Sequence, residues 1–483
     1  MFSSPKLCQC MKSQAFACMV PLVATLMFAP VATSQPSTFI RKYDFSSFDN
    51  GSCVRQTPDG GFIVAGQSTI SASAALIIRT NSNGDTLWTR SFPAIGGFAS
   101  SLVVTDSGDY VVAVGSGFHI MKISPYGNVV WAKTHLPDGD GWASGLASTW
   151  DGGFIEVGAR EIGGLPYIHV VKLNRDGDSV WAKTLAGPMG PTGCGVSTTA
   201  DSGYVVVGSV AAGSHYYSAY LARLTAQGDT VWTKVITADE ETEGYSVRQS
   251  VHGGFIMAGS LGTPMSGNGM DIFLVKTDEN GNTEWTRSYG GHGEDYPSDI
   301  EQSAGGGYVI SGTTAGGDSI PRAYLMRINA GGDTLWARQF REQDYSWATS
   351  VCQTSDSCFA LAGTTQRRLP AFDSDILLIK TGPSGLVSVG REPVRPTGYD
   401  LSQNYPNPFN PATTISYSIP QSSFVTVKVY DLLGREVATL VNEVKMPGVH
   451  TEHWDASHVA SGVYVYRLQA GGFVEAKKLV LIR

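Results

Sequence analysis

The sequence predicts an all-β protein in which a seven-bladed β-propeller, closed by an N-terminal strand, precedes a small immunoglobulin-like β-sandwich. A Gly-x-x-x-Trp motif occurs six times at Trp spacings of 43 to 53 residues, and self-similarity at that period is typical of propellers and solenoids. A second pattern, an aromatic residue followed by a short apolar run and a glycine, occurs seven times up to Gly363. After residue 400 both patterns stop, and apolar and polar residues alternate instead.

Residues 1–34 have the pattern of a secretory signal peptide. Lys6 and Lys12 supply a positive start, an apolar stretch covers 15–32, and small residues at the end suit cleavage before Gln35. An uncleaved membrane anchor is the alternative, but prolines interrupt the short apolar run. The sequence therefore predicts export.

Each Trp of the first motif follows a tight turn between two apolar runs. In the first copy, Leu76-Ile77-Ile78 precedes the turn Asn83-Gly84-Asp85, and Leu87-Trp88 follows it. Gly adopts the positive φ that such a hairpin needs, so two antiparallel strands are predicted here. We expect the Trp side chains to be buried anchors between sheets, each contributing about 4–6 kcal/mol as an upper estimate.

The seventh repeat lacks its Trp, because Val389 occupies the expected position. A substitute lies near the N-terminus, where Phe39-Ile40-Arg41-Lys42-Tyr43 matches Trp88-Thr89-Arg90-Ser91-Phe92 in spacing and type. We expect this segment to supply the outer strand of the last sheet and to close the ring without an open edge. The propeller is therefore assigned to residues 35–390.

The first strand of each repeat is predicted to lie innermost. Its first position is apolar and its fourth is Ser or Thr in all seven repeats, whereas the second position varies. Arg55, Arg248 and Glu301 occupy this variable position and are candidate ligand-binding residues of a central channel. The alternative is a charged channel that holds only water.

Acidic residues between repeats are further candidates. Glu241 and Glu243 belong to an acidic loop, and Asp295 follows Gly293-Glu294 in the next one. Such loops commonly carry function, and paired carboxylates could serve a glycosidase or lyase, although most acidic loops are solvated turns. The chain has no Gly-x-Ser-x-Gly, His-Glu-x-x-His or phosphate-loop motif, so we expect no enzymatic activity, cofactor or metal site.

Charge and cysteine content limit the possible partners and cross-links. The net charge of −8 without a basic block argues against a nucleic-acid partner. Beyond the signal, the cysteines are Cys53, Cys194, Cys352 and Cys358. Cys352 and Cys358 flank a predicted turn, so a disulfide is feasible in an oxidising compartment, and free buried thiols are the alternative.

The repeats resemble two groups of propellers. Their Gly-Asp-Thr-Leu-Trp unit resembles the tryptophan-docking repeat of quinoprotein-type propellers, and the whole unit, with Tyr289-Gly290-Gly291, resembles repeats of secreted Bacteroidota-type proteins. The quinoprotein resemblance implies the fold only. The vicinal cysteine pair of the quinone-dependent dehydrogenases is missing, and seven repeats differ from their eight blades.

A Pro-containing linker is predicted at 391–400, and a second domain at 401–483. Alternating strands such as Thr414–Ile419, Val425–Tyr430 and Val463–Leu468 predict two sheets with one buried and one solvated face.

The second domain resembles the type A C-terminal sorting domain of type IX secretion. The matching residues, in chain order, are Tyr405, Pro406, Asn407, Pro408, Phe409, Asn410, Pro411, Asp431, Gly434, Arg435, Trp454, Asp455, Gly462 and Tyr464. The resemblance implies export via the periplasm, with the outer-membrane secretion machinery and a sortase-like peptidase as partners. It further implies release or attachment to surface lipopolysaccharide.

The passenger is then predicted to be a binding or scaffold module for a glycan or protein ligand. An extracellular polysaccharide hydrolase or lyase with its site in the blade loops is the alternative.

Overall fold

The structure is a computed structural model that describes residues 37–482 except 70–73, 94–96, 116, 137–140, 186–191, 213–215, 239, 263–268, 292, 316–319, 341–344, 368–372, 388–397, 405, 422 and 446–447. Within these ranges no helix has the length and apolar character needed to cross a bilayer. The predicted signal peptide and most of the predicted linker lie outside the described residues.

Residues 39–381 form sheets of four antiparallel strands, of which seven are found in the described part of the chain. Sheets 1 to 6 each take four consecutive strands. Sheet 1 contains β2 (Asp49–Gln56), β3 (Phe62–Ser68), β4 (Ala74–Thr80) and β5 (Thr86–Phe92). Sheet 2 contains β6 (Ala99–Val104), β7 (Tyr110–Val114), β8 (His119–Ile123) and β9 (Val129–Thr134). Sheet 3 contains β10 (Gly141–Ser148), β11 (Phe154–Ile162), β12 (Leu165–Leu173) and β13 (Ser179–Leu185).

The next three sheets repeat this order. Sheet 4 contains β14 (Thr192–Thr198), β15 (Tyr204–Ala212), β16 (Tyr216–Leu224) and β17 (Thr230–Ile236). Sheet 5 contains β18 (Glu241–Gln249), β19 (Phe255–Gly262), β20 (Met270–Thr277) and β21 (Thr283–Tyr289). Sheet 6 contains β22 (Asp295–Gln302), β23 (Tyr308–Ala315), β24 (Pro321–Ile328) and β25 (Thr334–Phe340).

Sheet 7 draws its strands from both ends of this region. It contains β26 (Tyr345–Gln353), β27 (Phe359–Arg367) and β28 (Asp373–Thr381), and its outer strand is β1 (Phe39–Tyr43). β1 pairs antiparallel with β28, so that Phe39 lies opposite Lys380 and Tyr43 opposite Ile376. The structure thus has the N-terminal strand where the sequence predicts it, as the outer strand of the last sheet.

Apolar clusters join each sheet to the next. Six clusters lie between successive sheets, from the cluster of Ile63 and Tyr110 between sheets 1 and 2 to that of Val309 and Phe359 between sheets 6 and 7. A further cluster unites Val64 of sheet 1 with β1 and with the last three strands of sheet 7. The last sheet therefore packs on the first, and the arrangement is propeller-like.

The Trp residues of the repeat lie on the outer strands and reach across to the following sheet. Trp232 stacks edge-to-face on Phe255 with ring centroids 5.7 Å apart, and its indole Nε1 donates a hydrogen bond of 3.1 Å to the carbonyl oxygen of Glu279. Its ring covers Gly281, where a Cβ would approach to 2.9 Å. Glycine is thus needed in these turns for two reasons. It adopts the positive φ of the turn, and its lack of a side chain leaves room for the Trp ring of the preceding sheet.

The expectation of buried Trp anchors is wrong in degree. All six side chains are only half-buried, because the outer strand leaves one edge of each indole to solvent. The burial energy of each is therefore well below the upper estimate made from sequence.

Phe39 takes the Trp position at the junction of sheets 7 and 1. Its ring packs edge-to-face on Phe62 at 6.0 Å and covers Gly84, as Trp336 packs on Phe359 at 5.8 Å and covers Gly385. The Tyr43 hydroxyl donates a 2.6 Å hydrogen bond to the Gly84 carbonyl. The same docking contact therefore recurs at this junction with a different aromatic residue.

Residues 400–481 form two further antiparallel sheets. Their strands are β29 (Asp400–Leu401), β30 (Ala412–Ile419), β31 (Ser423–Tyr430), β32 (Glu436–Lys445), β33 (Gly448–Asp455), β34 (Gly462–Ala470) and β35 (Phe473–Leu481). One sheet has the order β29-β30-β33 and the other β32-β31-β34-β35. A single apolar cluster, including Ile415, Val427 and Tyr466, takes residues from both sheets.

The feasible disulfide is not formed. Cys352 and Cys358 are buried free thiols, because the hairpin register places Cys352 opposite Ala360, while Cys358 lies opposite Thr354 at the turn. Burial raises the pKa of the Cys352 thiol to about 12, which disfavours the reactive thiolate.

Candidate functional site

The first strands of all seven sheets enclose a central channel of about 290 Å³. Each of these strands carries a register shift at the same place, for example between Gly51 and Cys53 in β2 and between Ala348 and Ser350 in β26. A β-bulge inserts one residue and re-aims its side chain. The inserted residues that line the channel are Ser52, Ser100, Ser144, Tyr245, Ser298 and Thr349.

The charged candidates from the inner strands meet in this channel. Arg55, Arg248 and Glu301 all line it, and Arg248 forms ion pairs with Glu301 at 3.5 Å and with Asp299 at 3.0 Å. Burial alone would lower the pKa of Arg55, but the neighbouring Cys53, Glu301 and Asp299 raise it overall. Two guanidinium groups thus face two carboxylates, and the channel wall is polar with its charges balanced.

Asp299 is the functional candidate that sequence reasoning missed. It is buried and accepts hydrogen bonds from the Ser246 hydroxyl at 2.9 Å and from Arg248 at 3.0 Å. Its position directly precedes the constant apolar residue, where the other six repeats carry Cys, Ser or Gly. When the seven repeats are aligned, a single carboxylate at a position otherwise occupied by small residues is the sequence signal for this site.

Larger side chains occupy one equivalent position on the N-terminal side of the bulges of the first strands. We call this set the mouth ring, and in the described part of the chain it consists of the residue two before the inserted one in six sheets: Asn50, Phe98, Trp142, Glu243, Tyr296 and Trp347. Phe98 and Trp142 are each 41% exposed. Trp347 stacks on Tyr345 with ring centroids 6.2 Å apart and an interplanar angle of 22°.

A pocket of about 380 Å³ lies beside three members of the mouth ring, Asn50, Phe98 and Trp347. Phe98 and Trp347 contribute its apolar walls, and Asn50, Gln67 and Thr364 are among its polar lining residues. Ser52 and Thr349 line both this pocket and the channel, so the two cavities adjoin. The pocket therefore combines aromatic faces with neutral hydrogen-bonding groups.

Glu241 and Glu243 do not lie in a loop, because β18 begins at Glu241. Glu241 is buried, and both its burial and the charge of Glu243 raise its pKa. Glu243, in the mouth ring, accepts a 2.6 Å hydrogen bond from the Tyr245 hydroxyl. A similar pair follows in sheet 6, where the Tyr296 hydroxyl donates to Glu294 at 2.6 Å.

Asp295 begins β22 and holds its own connecting segment in place. It is buried, accepts a hydrogen bond from the Gly291 amide at 3.1 Å, and accepts another from the Thr314 hydroxyl. Asp49 occupies the corresponding position of sheet 1 and accepts hydrogen bonds from the amides of Phe45 and Ser46. We therefore interpret Asp295 as a residue that orders the chain between two sheets.

Three aromatic motif residues of the second domain, Phe409, Trp454 and Tyr464, contribute to its core. Phe409 and Trp454 are buried with ring centroids 5.6 Å apart, and Tyr464 packs edge-to-face on Trp454 at 6.2 Å. The Asn407 carbonyl oxygen of the side chain accepts a 2.9 Å hydrogen bond from the Val480 amide. The peptide bonds before Pro408 and Pro411 are cis. Tyr405 lies outside the described residues.

Three other motif residues, Asp431, Gly434 and Arg435, belong to an exposed turn between β31 and β32. The Asp431 carboxylate accepts from the Arg435 amide and pairs with its guanidinium at 2.7 Å, while Gly434 has a φ of 76°. Leu432 and Leu433, at the tip of this turn, are 73% and 78% exposed. The turn thus presents two apolar side chains that the fold itself does not bury.

Residues 403–482 match the family described as secretion system C-terminal sorting domain. The match confirms the sequence-based prediction of a C-terminal sorting domain. It implies interaction with the type IX secretion machinery and export to the cell surface or the medium. The comparison with curated proteins found no match to the chain.

Several solved structures are similar to the chain at low identity. A protein of unknown function from Bacteroides caccae is 11% identical, with 58% of this chain and 94% of that chain covered and a TM-score of 0.41. Inactive virginiamycin B lyase from Staphylococcus aureus is 13% identical, with coverage of 71% and 99% and a TM-score of 0.46. PorZ, a type IX secretion component of Porphyromonas gingivalis, is 12% identical, with coverage of 88% and 58% and a TM-score of 0.39. None of these likenesses assigns an activity to this chain.

Proposed function

We propose that this chain is an exported, non-enzymatic binding protein, in which a closed seven-bladed β-propeller binds a neutral glycan at its mouth ring. The closed ring is supported by the pairing of β1 with β28 and by the apolar cluster between sheets 7 and 1. The second domain would be an immunoglobulin-like sandwich, as its two sheets around one core suggest.

The aromatic mouth ring is the observation that carries the glycan assignment. Phe98 and Trp347 line the pocket of about 380 Å³, and Trp142 is a further exposed aromatic residue at the equivalent position of sheet 3. The C–H face of a sugar ring stacks on such aromatic surfaces, while its hydroxyl groups need neutral donors and acceptors. Asn50 and Gln67 supply amide groups of that kind at the pocket wall.

The balanced charge of the channel favours a neutral ligand over an acidic or basic one. Arg248 is already paired with Asp299 and Glu301, and a charged ligand would have to displace one of these partners without full compensation. A neutral oligosaccharide that reaches past Ser52 and Thr349 would instead meet the serine-rich wall.

A hydrolase or lyase is the second candidate, because Glu241 and Glu243 interact. A carboxyl group with a raised pKa beside an ionised one is a common arrangement in glycoside hydrolysis. Here, however, Glu243 is engaged by Tyr245 and Glu241 is buried within the strand. These contacts favour a positioning role, and we rank binding above catalysis.

Export would proceed via the periplasm, with signal peptide cleavage before Gln35. A sortase-like peptidase would then remove the sorting domain, and the propeller would be released or attached to surface lipopolysaccharide. The ligand site and the export signal thus lie in separate domains, so that mutations in the mouth ring should leave secretion unchanged.

A glycan array with the purified full chain, followed by isothermal titration, tests the binding proposal. We expect saturable binding of a neutral glycan, with a loss of about tenfold in affinity for Trp142→Ala and for Trp347→Ala, because stacking contributes about 1–1.5 kcal/mol. Tyr126→Ala, at a 78% exposed turn of sheet 2, is the matched control and should bind normally.

The same samples distinguish the enzymatic alternative. Release of reducing ends from mixed polysaccharides, abolished by Glu241→Gln, would establish catalysis in place of binding. Binding that survives both Trp substitutions unchanged would remove the mouth ring as the site.

A further inference from the structure

Three aspartates from distant parts of the chain meet where the N-terminal strand joins sheet 7. Asp44 directly follows β1, and Asp373 and Asp375 lie at the start of β28. Because Tyr43 pairs with Ile376, the residues just beyond this pair converge at the end of the ladder. One carboxylate oxygen of each aspartate lies within 4.8 Å of those of the other two.

One oxygen of the innermost carboxylate, that of Asp375, lacks a hydrogen-bond partner. Asp375 is only 8% exposed, and its Oδ1 is buried without a hydrogen-bond partner. A buried carboxylate oxygen of this kind is costly unless a proton or a cation satisfies it. Asp373 is half-buried and Asp44 is exposed, so the three groups lead from solvent to the unsatisfied oxygen.

The cationic side chains that act on this cluster do not neutralise it. Two cationic side chains, Arg367 and Lys42, interact electrostatically with Asp375, against the three carboxylates of the cluster. The cluster retains a demand for positive charge.

We propose that Asp44, Asp373 and Asp375 bind a hard divalent cation that fastens the N-terminal strand to sheet 7. Carboxylate oxygens are the ligands that Ca²⁺ and related cations prefer, and extracellular Ca²⁺ sites have dissociation constants of about 10⁻⁴–10⁻³ M. The cation would cross-link β1 and β28 at one end of the strand pair that completes sheet 7. Sheet closure would then depend on the ion content of the extracellular medium.

Calcium titration of the full chain after removal of bound metal tests this proposal. We expect one saturable site with a dissociation constant of about 10⁻⁴–10⁻³ M. At free Ca²⁺ ten times that constant, hydrogen exchange of residues 39–43 should slow about tenfold, since the ion binds only the closed strand pair. Asp375→Asn and Asp373→Asn should each abolish both effects.

Asp106→Asn is the matched control, because Asp106 lies in an exposed turn of sheet 2. It removes the same charge and should retain Ca²⁺ binding. Asp375→Asn should remain folded and become more stable without calcium, because it relieves repulsion among the carboxylates. The proposal is overturned if 10 mM Ca²⁺ gives no saturable binding, or if Asp375→Asn and Asp373→Asn respond as the unmodified chain does.

Discussion

Glu156 offers the sharpest test of the packing between sheets. It lies on β11, fully buried, and neither carboxylate oxygen has a hydrogen-bond partner. Its cross-strand neighbours Leu146 and Val171 belong to the apolar cluster between sheets 2 and 3. The corresponding position in the other six repeats carries Val64, Val112, Val206, Met257, Ile310 or Leu361. Glu156→Met should therefore stabilise the protein.

The size of this effect depends on pH in a predictable direction. Burial raises the pKa of Glu156 from 4.5 to about 8. A carboxyl group whose pKa is higher in the folded than in the unfolded state does not destabilise the protein below its unfolded-state pKa. The protein loses stability as the pH rises from the unfolded-state pKa through the folded-state pKa. Ionisation then costs little at pH 4, about 3 kcal/mol at pH 7 and about 5 kcal/mol at pH 9.

Equilibrium urea denaturation of the full chain from pH 4 to pH 9 measures this dependence. The advantage of Glu156→Met should grow with pH, and Glu156→Gln should share the loss of pH dependence while keeping an unsatisfied polar group. Glu161→Gln, at an exposed position on the same strand, should follow the unmodified chain. A difference between Glu156→Met and the unmodified chain that is constant from pH 4 to pH 9 would refute the reasoning.

Two further predictions concern the docking contact and the sorting domain. Trp232→Ala should lower the free energy of unfolding by about 2–4 kcal/mol, because the contacts of the half-buried ring with Phe255 and Gly281 are lost. Trp150→Ala, at a 70% exposed site, is the control and should lower it by less than about 1 kcal/mol. An equally small loss for Trp232→Ala would contradict the docking role. Leu432→Ser with Leu433→Ser should reduce the amount of chain exported by a type IX-competent host, while changing the free energy of unfolding by no more than about 0.5 kcal/mol. Leu386→Ser, at a 56% exposed site that follows β28, is the control. Normal export of the double variant would exclude the leucine pair as a contact for the secretion machinery.

The strands of the propeller region could be predicted because their signals are local. A glycine with positive φ and a Trp four residues later define each outer hairpin, and the resemblance of 39–43 to 88–92 identified the partner of sheet 7. The seven bulges could not be predicted, since most inserted residues are small, like Ser52, which does not by itself mark a strand irregularity, and the larger Tyr245 interrupts the series. The aromatic mouth ring could not be predicted either, because its members are seen to occupy equivalent positions only when the strands are aligned on their bulges.

Contacts between distant segments account for the rest of what sequence reasoning lacked. Asp44 and Asp375 are separated by most of the propeller and meet only because β1 pairs with β28. The acidic candidates Glu241 and Asp295 were placed in loops because their run of charges has the composition of a turn, whereas the strand ladder extends over both. Charge composition predicts exposure poorly when backbone pairing continues through the charged residues.

The constant positions of the repeat hold neighbouring sheets together, whereas the variable positions line the channel and its opening. Ligand specificity is therefore expected to arise at the variable positions. The docking of an aromatic residue on the next turn glycine fixes how neighbouring sheets meet, and a change at either residue would disturb the junction. Residues beside the bulge face the channel or its opening, where no neighbouring sheet limits their size, so Ser298 and Tyr245 are tolerated at equivalent positions. Substitutions in the mouth ring should consequently alter ligand preference at little cost in stability, whereas substitutions at the docking residues should do the reverse.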